Sequence, residues 1–189
     1  GKMGHVAYND KAINPSTCII DTLKNLKNMK LDSGSKNFQP SNLEITKINI
    51  DNKADNVIPE EANATFNVRF NDKHTSNSLK RKIINCTKGI CKKYKCNFKI
   101  KFIVSGESFV TKPNKTTYMI RDIIKKNTNI NTKLSTSGGT SDARYIRKIT
   151  PCLEFGLVGK SMHQINENVS LKDLKKLTKI YEEILQNYF

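Results

Sequence analysis

Histidine, arginine, hydroxyl and glycine residues gather at a few places in this 189-residue chain, and chemistry could occur there. His163 stands within Met162-His163-Gln164-Ile165-Asn166-Glu167, just after the apolar stretch Leu153-Glu154-Phe155-Gly156-Leu157-Val158, which puts its imidazole in a loop near a strand end. An imidazole there can ligate a metal or shuttle a proton, and it can equally be a plain loop residue. Ser135-Thr136-Ser137-Gly138-Gly139-Thr140-Ser141-Asp142 packs hydroxyls around two glycines. That composition suits a tight turn whose amides and hydroxyls contact an oxygen-rich ligand, or a loop in which Ser141 or Asp142 caps the next helix. Arg69 sits in Phe66-Asn67-Val68-Arg69-Phe70, where period-two alternation buries the apolar residues and presents Arg69 on the opposite face. His5, near the start of the chain, carries little signal from position alone.

These residues need elements to hold them. His5-Val6-Ala7-Tyr8 reads as a short strand, and Asn14-Pro15 as an N-cap followed by proline at the first helical position. A helix through Ile19, Ile20, Leu23, Leu26 and Met29 should follow, ended by the polar turn Asp32-Ser33-Gly34-Ser35. Leu43, Ile45, Ile48 and Ile50 nearly alternate in a second strand, and the slip between Ile45 and Ile48 predicts a bulge or a change of face. Residues 66–70 form the third strand, and Ser76 can cap a helix carrying Leu79, Ile83, Ile84 and Ile90. Phe98, Ile100 and Phe102 alternate with Lys99 and Lys101 in a fourth strand.

The order β-α-β-β-α-β is that of a ferredoxin-like α+β sandwich, two helices on one face of a four-stranded sheet, and it should occupy residues 1–105. Residues 106–189 change character towards α/β. A helix through Tyr118, Met119, Ile120, Ile123 and Ile124 is followed by the glycine turn, a short strand at Leu153-Glu154-Phe155, and a last helix capped by Ser170. That last helix carries a continuous stripe of Leu174, Leu177, Tyr181, Ile184, Leu185 and Tyr188. With an apolar face on each helix and so little strand, this segment should pack onto something outside itself.

Composition removes several classes. No apolar run reaches bilayer length and no secretory signal opens the chain, so the expectation is a cytoplasmic protein without membrane contact. The formal charge of +16 invites nucleic acid, yet the lysines are scattered and accompanied by abundant Asn and Ile, the pattern of a solvated surface. A sandwich that stacked RNA bases on residues 66, 68 and 70 would have to bury Arg69, which costs far more than burying Phe, so no nucleic-acid partner is expected. Cys86, Cys91 and Cys96 stand five apart, which spreads them around a helix; packed reduced thiols are expected instead of a zinc site.

Taken together, the pieces resemble one family. Gly4-His5-Val6-Ala7-Tyr8 with Asn14-Pro15, Asn56-Val57-Ile58-Pro59, residues 66–70, residues 135–142 and residues 162–167 are similar, in order and spacing, to the succinyl-diaminopimelate desuccinylases of the zinc aminoacylase and carboxypeptidase family. The likeness spans nearly the whole chain, and the glycine-rich octet is its most specific block; the other blocks are shared with acetylornithine deacetylases. The resemblance implies a homodimeric hydrolase of lysine and diaminopimelate biosynthesis that cleaves N-succinyl-LL-2,6-diaminopimelate to succinate and LL-2,6-diaminopimelate. Two zinc ions, replaceable by cobalt, would supply the nucleophilic water. It further implies a ferredoxin-like lid and dimerisation domain over residues 1–105, and the C-terminal part of a catalytic domain over residues 106–189.

Carried over by position, His163 matches a zinc ligand. His5 matches a lid histidine that stabilises the oxyanion in the partner subunit's site. Asn56 and Arg69 match lid residues that hold substrate, while Ser105, Gly139 and Thr140 match contacts from the other side of the cleft. Asn9, Asp55 and Gly159 depart from the family pattern at positions where proline, asparagine and asparagine are frequent. The family's remaining metal ligands and its glutamate general base precede the point where this sequence starts. The expectation is therefore that the polypeptide alone is inactive: a fragment, a truncated product, or one half of a split enzyme. Two rival classes are a non-catalytic dimerisation or binding module and a nucleic-acid binder.

Overall fold

The computed structural model of the chain describes residues 1–137, 139 and 141–189, arranged as two compact units, Gly1–Phe109 and Val110–Phe189. In the first unit the chain runs β1 (Gly4–His5), a 3-10 helix (Val6–Lys11), α1 (Pro15–Asn28), β2 (Asn42–Asn49), β3 (Val57–Ile58), β4 (Asn63–Arg69) and α2 (Ser76–Lys93). Asn14 caps α1 by accepting from the Ser16 amide, with Pro15 in the first turn, where its missing N–H deprives the helix of nothing. The cap of α2 is Thr75, one residue before the expected Ser76, and Thr75 and Ser78 exchange side-chain and backbone hydrogen bonds in a capping box.

β2 and β4 form an antiparallel ladder from Asn42↔Arg69 to Asn49↔Asn63, with a register shift between Ile45 and Lys47, where the alternation slips. Phe66 and Val68 turn inward against Leu26, Leu43 and Ile83, the centre of the core, while Thr65, Asn67 and Arg69 face out. The outward positions of β4 therefore carry polar groups and no platform for base stacking.

Two expected strands differ. Only Gly4 and His5 are strand, paired antiparallel with Ile58 and Val57, and the chain then turns into the 3-10 helix. The turn has a local cause: the His5 ring accepts the Ala7 N–H, which draws the backbone out of the extended path. No strand forms at residues 98–102, although Ile100 and Phe102 still pack against the core. Alternation specifies which side chains point inward, not whether a neighbouring strand offers its backbone. The four-stranded sheet is thus resolved into two two-stranded ladders, β1-β3 and β2-β4.

The polar stretch after α1 is more than a helix terminator. Asp32 Oδ1 accepts from the Gly34 amide at 2.7 Å, the Asn71 side-chain amide at 2.7 Å and the Ser41 amide at 3.2 Å. His74 Nε2 lies 3.3 Å from Asp32 Oδ2 and 3.1 Å from the Leu31 carbonyl. Asn71, 2% exposed, also donates to the Gln39 carbonyl and accepts from the Lys73 amide. Burial alone would push the Asp32 carboxyl up. The hydrogen bonds from Ser41, Gly34 and Asn71 outweigh it and hold Asp32 well below the usual carboxylate range. This buried node ties the loop after α1 to the segment joining β4 to α2.

The second unit contains α3 (Lys115–Thr128), α4 (Ala143–Ile146) and α5 (Leu171–Tyr188). A capping box of Asn114 and Thr117 opens α3, and Asn129 closes it in the left-handed region. Ile123 and Ile124 of α3 meet Ile180 of α5, with Met119, Ile120, Phe155 and Ile184 around them. Glu183 adds bonds to Lys126 and Asn127, and those bonds hold its carboxyl below the usual range. No strand is assigned at Leu153-Glu154-Phe155; Phe155 packs on the helices instead, and its carbonyl accepts from the Tyr181 hydroxyl at 2.5 Å. Of the apolar stripe on α5, Leu174, Tyr181, Leu185 and Tyr188 remain exposed, as do Ile149 and Ile165 in the loops, so the unit leaves much apolar surface uncovered.

Candidate functional site

The residues with chemical potential fall into separate groups. His5 is exposed at the end of β1, where its Nδ1 accepts the Ala7 N–H at 3.1 Å. A ring nitrogen that accepts cannot carry the proton in the neutral imidazole, so Nε2 carries it and is a donor. The Tyr8 ring stands 5.9 Å from the His5 ring, and the Lys11 ammonium lies 5.1 Å from the Tyr8 centroid. One residue along, the Val6 amide donates to the Asn56 carbonyl at 3.0 Å. The β1-β3 ladder therefore brings His5 and Asn56 together, and Asn52 ties the same turn by donating to the Val57 carbonyl.

Arg69 belongs to the other ladder. It ends β4 opposite Asn42 and stands exposed, with Asn67 opposite Glu44 two positions before it. Glu44 is held below the usual range by the Lys27 ammonium, its strongest partner. Ser105 is exposed in a stretch with no regular structure. Two residues later the Glu107 carboxylate accepts from the Ser76 amide at 3.0 Å, anchoring that stretch on the first turn of α2, where a negative charge is favourable.

In the second unit, Gly139 is exposed and a Cβ placed on it would meet nothing within 4 Å. Thr140, the neighbouring candidate, lies outside the described residues. The flanks of the octet are organised by hydroxyls: Ser135 and Ser137 hydroxyls are 2.6 Å apart, and the Ser141 hydroxyl accepts from the Ala143 amide and bonds Glu154. Ser141 thus engages the start of α4, whereas Asp142 makes no side-chain cap.

His163 is exposed in a turn with φ +60°, and its backbone N–H donates to Glu167 Oε2 at 3.3 Å. Ser161 closes this turn on Asn168 by accepting from the Asn168 amide and donating to its carbonyl. Among the described residues no group of three or more His, Cys, Asp or Glu side chains could hold a metal ion. His163 is thus placed as a single ligand could be, and the described residues do not make a metal centre. In the sequence Asp32 reads as part of a polar turn and His74 carries no signal; only the fold joins them.

Comparison with known proteins gives a consistent set of likenesses. The family described as peptidase dimerisation domain matches residues 1–95. The chain is 66% identical over all its residues to the succinyl-diaminopimelate desuccinylase of Pelagibacter ubique (strain HTCC1062), of which it covers 49%. It is 44% identical to the enzymes of that name from Rickettsia bellii (strain RML369-C), over 98% of this chain and 47% of the relative, and from Wolbachia pipientis wMel, over 100% and 46%. The chain thus spans about half the length of the curated relatives it matches. Among solved structures, a tripeptidase from Staphylococcus aureus subsp. aureus Mu50 superposes with a TM-score of 0.76 at 18% identity, over 97% of this chain and 48% of that one. An aminopeptidase from Bacillus cereus ATCC 10987 gives 0.72 at 16%, again over 97% and 48%. These two share the fold.

Proposed function

The chain belongs to the peptidase dimerisation domain family, and from that premise we propose that it supplies about half of a succinyl-diaminopimelate desuccinylase. The reaction would be hydrolysis of N-succinyl-LL-2,6-diaminopimelate to succinate and LL-2,6-diaminopimelate, in the cytoplasm, for lysine and diaminopimelate biosynthesis. The observation that carries this reading is the 66% identity that runs through the entire chain, both units included.

Within that reading the first unit is a ferredoxin-like lid and the dimerisation surface, and the second is part of the catalytic domain. The open apolar face of α5 then has an occupant, the rest of that domain. His5 acts across the dimer. With Nδ1 occupied by the Ala7 amide, its Nε2–H is a ready donor to the oxyanion of a tetrahedral intermediate in the partner's site. Arg69, on an exposed strand end, can grip a substrate carboxylate with its two-pronged guanidinium. Asn56, Ser105, Gly139 and Thr140 complete the substrate contacts. The described residues make no metal site alone, so the two zinc ions, or cobalt in their place, would be held mainly by ligands outside this chain, with His163 as its own contribution. On this reading the chain by itself turns over no substrate.

The test is a chimera in which this chain replaces the matching half of the Pelagibacter relative. Zinc-dependent succinate release from N-succinyl-LL-2,6-diaminopimelate is the expected outcome. A preference for N-acetylornithine would move the reading to a deacetylase, and a folded dimer with no turnover on either would leave a binding module.

A further inference from the structure

Cys18 and Cys91 are separated by 73 residues in sequence, yet their sulfurs lie 3.6 Å apart, buried between α1 and α2. Their exposures are 4% and 5%. Cys96, half-buried just beyond α2, approaches the same cluster, with its thiol directed at the Asn14 carbonyl before α1. Cys86 and Cys91 stand five apart on α2, so they do not share a face, and Cys96 lies beyond its end; it is α1 that supplies the partner. We propose that Cys18 and Cys91 form a latent disulfide, closed by a peroxide-class oxidant, that staples α1 to α2.

A disulfide requires sulfurs at about 2.05 Å, so the two sulfurs, now 3.6 Å apart, have to approach by about 1.5 Å. A bond between these two buried thiols would close a long loop and constrain the unfolded chain. The reaction balances. One thiolate attacks a peroxide oxygen, the O–O bond breaks and hydroxide leaves, giving a sulfenic acid. The second sulfur then displaces hydroxide from that sulfenic sulfur. Two thiols lose two protons and two electrons, and hydrogen peroxide becomes two waters.

Closure is slow by construction. Burial pushes the Cys18 thiol up, and the hydrogen bond and charge of Cys91 push it further; burial and then contact with Cys18 do the same to Cys96. Since the thiolate is the reactive form and both sulfurs are shielded from solvent, the pair stays reduced through brief exposure and closes under sustained oxidation.

Trypsin separates every cysteine of α1 and α2, because Cys18 falls in residues 12–24, Cys86 in 83–88, Cys91 in 89–92 and Cys96 in 96–99. The folded chain is treated with hydrogen peroxide, alkylated, digested without reduction and mapped by mass spectrometry, beside a sample oxidised in denaturant. The proposal predicts that peptide 12–24 linked to 89–92 exceeds any other pairing by roughly ten-fold in the folded sample, and that the denatured one gives a mixture. Dithiothreitol should reverse it, Cys18→Ser or Cys91→Ser should abolish it, and Cys86→Ser should leave it. Linkage chiefly through Cys86 or Cys96, oxidation to sulfinic acid without linkage, or thiols that remain alkylatable after prolonged peroxide would each overturn it.

Discussion

Removing the Asp32 carboxylate by Asp32→Ala should destabilise the first unit more than any exposed substitution, and its size follows from the hydrogen bonds it severs. Three N–H donors, from Gly34, Ser41 and Asn71, point at this carboxylate. A hydrogen bond to a charged acceptor contributes about 1.5–3 kcal/mol, and a buried donor left without a partner is penalised as well. Taking the low end for each gives a loss of about 4.5 kcal/mol, a large share of a typical domain stability of about 5–15 kcal/mol. His74→Gln should cost far less, about 1 kcal/mol, because the Ser41 hydroxyl and the amide donors, and not the imidazole, hold the carboxyl down.

The pH dependence has a definite sign. The unfolded carboxyl titrates near about 3.9 and the folded one lower, so in acid the unfolded chain binds more protons. The Asp32 contribution is therefore complete above about pH 5 and is lost as pH falls through the ordinary carboxylate range towards the folded value. Urea unfolding followed by far-ultraviolet circular dichroism, at pH 7 and again towards pH 3, measures both effects. A loss under about 1 kcal/mol at pH 7, or a wild type and variant whose stabilities fall in parallel with acid, would refute the account of the node.

Other outcomes follow from the same contacts. Gly34→Ala should lose about 1–3 kcal/mol in the same assay, since the position has φ +85° and a Cβ there would lie 2.9 Å from the Phe38 carbonyl oxygen. In the chimera, His5→Ala should lower kcat by about 10²-fold or more while changing KM little, as expected of a group that acts on the transition state; steady-state kinetics decide it. Gly159→Asn should be tolerated within about 1 kcal/mol, because the nearest atom to the added Cβ, at 2.7 Å, is the flexible tip of Met162. Thermal melts of the two chains side by side measure it.

How far the sequence could be read depended on the range of the interactions. Asn14-Pro15 and the residue 66–70 alternation each encode a short-range rule, a cap and a face, and both appear as written in α1 and β4. Even the register shift near Ile45 left a trace in the spacing of apolar residues. Backbone partnership left none: residues 98–102 alternate as well as β4 does, yet only the Ile100 and Phe102 side chains reach the core. Polar residues with distant partners were equally opaque. Asp32-Ser33-Gly34-Ser35 reads as a surface turn, and it became a buried node through Asn71 and His74, about forty positions away. Cys18 gave no sign of Cys91. His163, Arg69 and the glycine-rich octet stand out by residue type and spacing, Asn56 and Ser105 only through family likeness, and the His5 tautomer only through the Ala7 hydrogen bond.

Subunit complementation tests most directly the claim that this chain supplies a desuccinylase with both a metal ligand and a histidine that works across the dimer. Chimeras carrying His5→Ala or His163→Ala should each keep about 1% of the activity or less alone. When unfolded together and refolded at equal amounts, half the dimers of a two-fold assembly are mixed and each holds one intact site, so about a quarter of full activity should return. If the mixture stays as inactive as its parents while mixed dimers form, His5 does not act in the partner's site and the account is wrong.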